Sequence, residues 1–454
     1  APGDVRTPEQ ARVLARTDLA ARVSDIDHAS VVLVVDTELV DEAPILDLRV
    51  RKAVRRNGTR LVVATSRPSS LDANASATLR FAPGMAEVAL GRLAAALGST
   101  RATADPDADG RAAAELLRDA EDVVIVWGER VAHAERGVQG VEALLALATA
   151  VGMADKPESG LIEIPAGTNG RGLREVGCSP HLAPGLKDAD AVGMTATEMA
   201  RAEHKALLLV HTDPASDLRE RSLWETAMEK AGSVIAFSAF RSEALEAHAD
   251  VVFPSEAGAE KEGTLTHPDG RLQRLRQALG HPGEVRAAWW VLAELCERAG
   301  AGLDADSPPA LTDRVAEAVP FYGGVTLDEI AGDGIRWQER GAASSLPTAQ
   351  PSEDRLEPPP ELPDGLRLGV RPSLWAGRET EHSPALRFLA GHSRAELSPS
   401  DARRLGIAPG DEVVVSVNGS SVRAAAAVRS SVNDGDVFLV GEQLPGGRVE
   451  VTKA

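Results

Sequence analysis

Short apolar runs of strand length recur up to about residue 330, at 31–35, 61–64, 123–126, 207–210, 234–237 and 251–253, with helical patterns between them. Each run is bounded by polar, Gly or Pro positions, as strands buried on both faces are. The alternation therefore describes βαβ units around a mostly parallel, doubly wound sheet, and the fold class is α/β. In the first helix Leu46, Val50 and Val54 form one apolar stripe while Arg49, Lys52, Arg55 and Arg56 take the other face. Asp41 and Glu42 open this helix and the two arginines close it before Gly58, so charge complements the dipole at both ends. A second helix is expected over 217–231, with Ser216 as N-cap and Gly232 as terminator.

Two stretches break the rhythm. Residues 102–110 hold no apolar side chain larger than Ala and suit a surface loop. Residues 338–365 carry Pro347, Pro351, Pro358, Pro359, Pro360 and Pro363, which suits an extended linker. Beyond it Ser398-Pro399 starts a short helix that Gly406 ends. Pro409-Gly410-Asp411, Asn418-Gly419 and Asn433-Asp434-Gly435 then turn the chain between alternating strands, the pattern of a small β-barrel. The expected organisation is an α/β unit over 1–232, a second α/β portion over 233–337, the linker over 338–365 and the barrel over 366–454.

With 49 Lys plus Arg against 68 Asp plus Glu, the net charge is −19, which argues against nucleic acid as a partner because phosphate binding needs clustered cations. The apolar runs fall far short of the ~20 residues that cross a bilayer, so direct membrane insertion is not expected. Residues 1–20 mix Asp, Glu and Arg without an apolar core, which excludes a secretory signal, and the absence of an initiator Met points to a mature or truncated segment. Cys178 and Cys296 alone cannot build a disulfide framework or a cysteine-ligated metal centre.

Phosphate-loop, zinc-protease, nucleophile-elbow and C-x-x-C signatures are all missing. His204 and His211 straddle an expected strand and receive no catalytic role; the Gly-rich piece 166–172 fits a flexible loop better than a phosphate cradle.

One segment is more specific: Ala249-Asp250-Val251-Val252-Phe253-Pro254, continuing through Glu260-Lys261-Glu262-Gly263-Thr264 to Gly270-Arg271. It resembles the A-D-V-V-L-P and E-K-x-G-T-x-x-N-x-E-G-R stretches of the molybdopterin oxidoreductase family. Residues 43–49, the turn at Phe81-Ala82-Pro83-Gly84 and the 405–415 core of the barrel resemble further parts of that family, so the resemblance covers nearly the whole chain. It implies a pocket at the carboxyl ends of the strands, formed by Asp36, Thr37, Glu38, Ser66, Arg67, Gly84, Asp213, Glu262, Gly263, Thr264 and Arg271.

Several of these positions depart from the family pattern. Asp36-Thr37-Glu38 replaces Gly-Ser-Asn, Thr65-Ser66-Arg67 replaces Asp-Pro-Arg, and Asp213-Pro214 replaces Asn-Pro. A carboxylate ~4 Å from a phosphate repels it by roughly 4 kcal/mol at an effective dielectric near 20, more than one charged hydrogen bond returns. The pocket is therefore expected to be vestigial, with no catalytic residue, no metal ligand and no cofactor in this segment.

In Val34-Val35-Asp36-Thr37-Glu38 and the Pro-rich linker the chain resembles the C-terminal part of the large peripheral subunit of NADH-quinone oxidoreductase, respiratory complex I. That resemblance implies a scaffold role on the cytoplasmic side of the membrane, other peripheral-arm subunits as partners, and iron–sulfur clusters upstream. The alternatives are a truncated molybdenum oxidoreductase retaining a molybdopterin dinucleotide site, and a nucleotide-binding module resting on Gly263, Thr264 and Arg271.

Overall fold

A computed structural model describes residues 5–102, 105–218, 220–362, 364–441, 444 and 446–454. The chain clusters into two compact units, one of Gly3–Thr168 with Thr348–Ala454, the other of Asn169–Pro347. The boundary expected at residue 232 falls inside the second of these.

In the first unit, strands β1 (Val31–Val35), β2 (Arg60–Thr65), β3 (Ala77–Arg80), β4 (Val123–Gly128) and β5 (Gly160–Ile164) form a sheet in the order β3-β2-β1-β4-β5. All its pairings are parallel. Val31, Leu33 and Val35 pack with Leu90, Leu93, Leu117 and Leu144 on one face, and Val32 and Val34 pack with Leu46 and Val50 on the other. Every residue of β1 is buried, because helices cover a parallel sheet on both sides. The first expected helix is broken: Leu39–Glu42 makes one turn, and Pro44, which lacks an N–H to continue it, starts Pro44–Lys52 anew. Gly58 still terminates the segment in the left-handed region, at φ 78°.

Gly128 ends β4 beside Asp36. A Cβ there would lie 2.4 Å from the Asp36 carbonyl oxygen, so only glycine permits this approach. Gly128→Ala is expected to lower stability by about 1–3 kcal/mol through backbone overpacking, read as a lower urea midpoint followed by Trp127 fluorescence.

The second unit holds a two-stranded ribbon, β6 (Leu182–Ala183) with β7 (Lys187–Asp188), and a parallel sheet of β8 (Leu207–Val210), β9 (Val234–Ser238) and β10 (Val251–Pro254) in the order β10-β9-β8. It also holds an antiparallel sheet of β11 (Gly263–Thr266), β12 (Arg271–Leu275) and β13 (Ile335–Arg336). Leu207, Leu209, Val234 and Ala236 bury one face of the parallel sheet against Met228 and Leu245, whereas Leu208, Val210 and Val251 are exposed. The helix expected over 217–231 runs from Arg221 to Lys230. Its N-cap is Glu220, without a side-chain cap bond, and Ser216 instead lies inside the separate turn Pro214–Asp217, which Asp213 caps by accepting from the Ala215 N–H.

Strands β14 (Leu366–Arg371), β15 (Arg394–Leu397), β16 (Glu412–Val417), β17 (Ser420–Val428), β18 (Asp436–Val440) and β19 (Gly447–Lys453) close into a barrel in the order β14-β18-β15-β17-β16-β19. Ser398 caps the helix Pro399–Leu405, and Gly406 ends it at φ 68°. The Pro-rich segment divides at residue 347; from 348 onward it is a strap within the first unit, where Ala349 and Leu356 pack on the core and the Leu356 N–H donates to the Arg101 carbonyl at 2.8 Å.

Candidate functional site

The carboxyl ends of β1 and β2 bring together Asp36, Thr37, Glu38, Ser66 and Arg67. Asp36, Thr37 and Glu38 are buried, and Asp36 adopts a left-handed φ of 44°, which a short polar side chain tolerates. The acids here are bound internally. Glu42 accepts from the Glu38 N–H at 2.6 Å and the Thr37 hydroxyl at 3.1 Å and pairs with Arg130; Glu38 accepts from the Ser70 hydroxyl at 2.6 Å. Burial alone would lower the Arg130 pKa, but Glu42 and Asp36 hold it above its ordinary value.

Two ion pairs tie these loops to the barrel. Arg67 donates Nε and Nη2 to the two Glu396 oxygens at 2.6 and 3.0 Å, a bidentate fork, and Arg371 donates to Asp41. Arg367 donates to the Pro83 carbonyl at 2.6 Å, next to Gly84, whose φ is 76°. Ser66 is half-buried. The pairing of Glu42 with Arg130 and of Asp41 with Arg371 depends on residues far away in sequence and is not legible from the strand ends alone.

The remaining expected positions lie in the second unit. Asp213 is spent on capping, accepting from the Ala215 N–H and the Ser216 hydroxyl, and Glu262 pairs with Arg274. Gly263 and Thr264 oppose Leu275 and Arg274 at one end of the β11–β12 hairpin, while Arg271 starts β12 at the other end. Arg271 there faces Asp269, whose pKa falls to about 2 although burial opposes this, because His267 and the Arg271 N–H hydrogen-bond its ionised form.

The same unit contains a group that motif reading passed over. At the carboxyl ends of β8 and β10, His211, held at φ 53°, lies 3.2 Å from the buried Ser255 hydroxyl and 3.3 Å from Lys261 Nζ. Burial lowers the pKa of both His211 and Lys261; the Lys261 charge depresses His211 further. Glu256 is turned inward, accepting from the Ala288 N–H at 2.8 Å. Lys261 belongs to the E-K-x-G-T-like stretch, so it was legible; His211 was visible only as a residue following a strand.

The Gly-rich piece also differs from a free loop. The Asn169 side chain accepts from the Thr266 N–H at 2.8 Å, and a Cβ on Gly172 would lie 2.3 Å from that same amide oxygen. Behind it, the buried Tyr322 hydroxyl donates to Glu175, which also accepts from Arg171 Nε at 2.9 Å. Burial and the Glu175 charge push the Tyr322 hydroxyl well above its ordinary pKa. Tyr322→Phe is expected to cost about 1–3 kcal/mol by removing one donor from a buried carboxylate, read from a Trp337 fluorescence melt.

Comparison with known proteins matches residues 7–298 to the molybdopterin oxidoreductase family and residues 373–445 to the "Molydopterin dinucleotide binding domain". The chain belongs to the molybdopterin oxidoreductase family. It is 28% identical to NADPH-Fe(3+) oxidoreductase subunit alpha of Geobacter sulfurreducens, over 92% of this chain and 54% of that protein. It is 26% identical to an NADH-quinone oxidoreductase subunit of Rhizobium meliloti, over 97% of this chain and 55% of that one. The chain thus spans about half the length of these curated relatives. Acetylene hydratase from Pelobacter acetylenicus shares the fold, with a TM-score of 0.72 at 14% identity, covering 96% of this chain and 74% of that structure.

These matches overturn the expectation that the segment has no cofactor, since residues 7–298 match the molybdopterin oxidoreductase family and residues 373–445 a molybdopterin dinucleotide binding domain. The expectation rested on free carboxylates, whereas Glu42 and Asp41 are neutralised by Arg130 and Arg371. The donor chemistry of the second unit is the better match for the phosphate-bearing end of such a group, with Lys261 and His211 beside the Ser255 hydroxyl and open space at Gly258 and Gly263, although Ser255 also donates to the Glu256 carboxylate at 3.2 Å. At the tips of β1 and β2, Arg67 and Arg371 already hold carboxylates and are less suited to receive it. Among the described residues no three His, Cys, Asp or Glu side chains converge on a metal-sized position, and no helix is long and apolar enough to cross a membrane.

Proposed function

We propose that this chain is the molybdopterin-fold portion of the large subunit of a multisubunit NADH-quinone oxidoreductase, peripheral to the membrane on its cytoplasmic side. Within it, the five-stranded sheet and the barrel act as a structural body. The observation that carries this reading is the Arg67–Glu396 and Arg371–Asp41 pairing, which commits the cations at the β1 and β2 tips to internal partners. Likeness to the Rhizobium meliloti NADH-quinone oxidoreductase subunit over 97% of the chain supports it. So does the exposed face of Leu208, Val210 and Val251, since a parallel sheet is ordinarily covered on both sides and another polypeptide layer would complete it.

In this reading His211, Lys261 and Ser255 hold the phosphate-bearing end of a molybdopterin nucleotide. When bound, that group supplies oxidation–reduction chemistry. The chain's own part is to bind and orient it: an anion beside Lys261 and His211 favours their charged forms and reverses the depression of both pKa values.

Affinity purification of the chain from its native host tests the assignment. Co-purification with NADH-oxidising, quinone-reducing activity is expected, with pterin released on acid oxidation. Co-purification with NADPH-dependent Fe(III) reduction instead would transfer the assignment to the NADPH-Fe(3+) oxidoreductase type. Recovery of the NADH activity without pterin would remove the proposed role of His211 and Lys261.

A further inference from the structure

In the first unit, the helix Pro44–Lys52 and the π-turn Ala53–Asn57 that continues it bury Leu46, Val50 and Ala53 on their inner side. The outer side is not uniformly polar. Ile45 is 72% and Leu48 63% exposed, and Lys52, Arg55 and Arg56 follow at intervals of three and four residues, so these side chains share one face. At 1.5 Å per residue the stripe is about 16 Å long, apolar where it starts and cationic where it ends.

The charges at that end are not consumed within the fold. Arg51 takes Asp47, and Arg49 and Lys52 share Asp27, which closes the turn Val23–Asp27 packed beside the helix. The other carboxylate of that turn, Asp25, accepts from the Arg22 N–H at 2.7 Å. Arg55 and Arg56 are exposed and form no ion pair among the described residues. The helix dipole does not account for them, since Arg49, Arg51 and Lys52 already place cations in the last helical turn. This is a local cationic surplus on a chain whose net charge is −19.

We infer that this stripe is a docking surface for an acidic segment of another polypeptide, which sets apolar side chains on Ile45 and Leu48 and carboxylates opposite Arg55 and Arg56. Apolar contact supplies the buried part of such an interface, and complementary charge selects the partner. Nucleic acid and an anionic bilayer are disfavoured, because both extend past the stripe by more than the Debye length of about 8 Å and meet a chain that is negative in sum. A second copy is disfavoured by the order of the stripe: antiparallel pairing sets guanidiniums on Ile45 and Leu48, and parallel pairing sets them on one another. Such docking requires neither a bound cofactor nor the NADH-quinone oxidoreductase assignment.

Photo-crosslinking of the full chain in its native host tests it, with benzoylphenylalanine in place of Leu48 and the crosslinked peptide sequenced by mass spectrometry. The expected product joins a different polypeptide through a segment in which Asp and Glu outnumber Lys and Arg. Arg55→Glu combined with Arg56→Glu should cut its yield at least about fivefold, and Ile45→Ser at least about threefold. Circular dichroism should be unchanged in both, because all three side chains are exposed. Lys187→Glu, at an exposed position of the second unit, should leave the yield as it is. Absence of a crosslink overturns the inference, as does a crosslink to a second copy, to lipid, to nucleic acid or to a segment without acidic excess. A yield retained by either folded stripe variant, or lowered equally by Lys187→Glu, overturns it too.

Discussion

Arg67→Ala will destabilise the first unit by about 3–5 kcal/mol, because it strands the Glu396 carboxylate in a site where that side chain is 1% exposed. Burial on its own raises the Glu396 pKa, yet the forked Arg67 pair, helped by Arg429 at 3.6 Å, carries it below the ordinary carboxylate range. Without Arg67 only the half-exposed Arg429 remains to offset the charge. Urea denaturation followed by Trp127 fluorescence and far-ultraviolet circular dichroism should show the midpoint fall. The double variant Arg67→Met with Glu396→Leu should recover most of the loss, since no charge is then left uncompensated. A single Arg67→Ala variant within about 1 kcal/mol of the parent would show that the pair contributes as a surface bridge does.

The second large effect concerns Asp436, the first residue of β18, which is 6% exposed. Burial, with a smaller contribution from Asp401, pushes its pKa from the ordinary 3.8 to about 7, against the opposing hydrogen bond of Asn433 and charge of Arg367. The folded pKa lies above the unfolded one, so folding favours the neutral acid. Stability is therefore fully present below about pH 4, declines by up to about 1.4 kcal/mol per pH unit as pH rises toward 7, and levels off above that. Asp436→Asn removes this dependence. At pH 8 the variant should be more stable than the parent by up to about 4 kcal/mol, and near pH 4 the two should agree. Parallel pH profiles for parent and variant, measured by urea midpoints from pH 4 to 8, would dispose of a neutral Asp436.

Much of the architecture was readable along the chain because it depends on neighbours in sequence. The run at 31–35 is the strand Val31–Val35, and Ser398, Pro399 and Gly406 bound the barrel helix as their capping chemistry requires. Reading failed where a local cue had a competitor nearby. Ser216 was an acceptable cap, but Asp213 followed by Pro214 caps a short turn that takes in Ser216, and the helix proper starts later, at Arg221. The expected linker starts in short 3-10 helices, Trp337–Glu339 and Gly341–Ser345, and its prolines did not reveal that Ala349 and Leu356 pack on the core.

The site divides along the same line. Which residues follow strands is a matter of sequence, and so Asp36, Glu38 and Arg67 could be placed at strand ends. Whether those charges are free is decided by partners far away: Glu396 lies 329 positions from Arg67, and Asp41 lies 330 from Arg371. His211, Ser255 and Lys261 likewise meet only because β8 and β10 flank β9 in one sheet. Sequence by itself determined the strand and helix types, their order and the family pattern, since backbone propensity, capping and hydrophobic period act over a few residues. Tertiary structure alone decided the strand order, the closure of the barrel and the electrostatic state of the acids, because Coulomb energy and desolvation depend on distance and burial in space and not on separation along the chain.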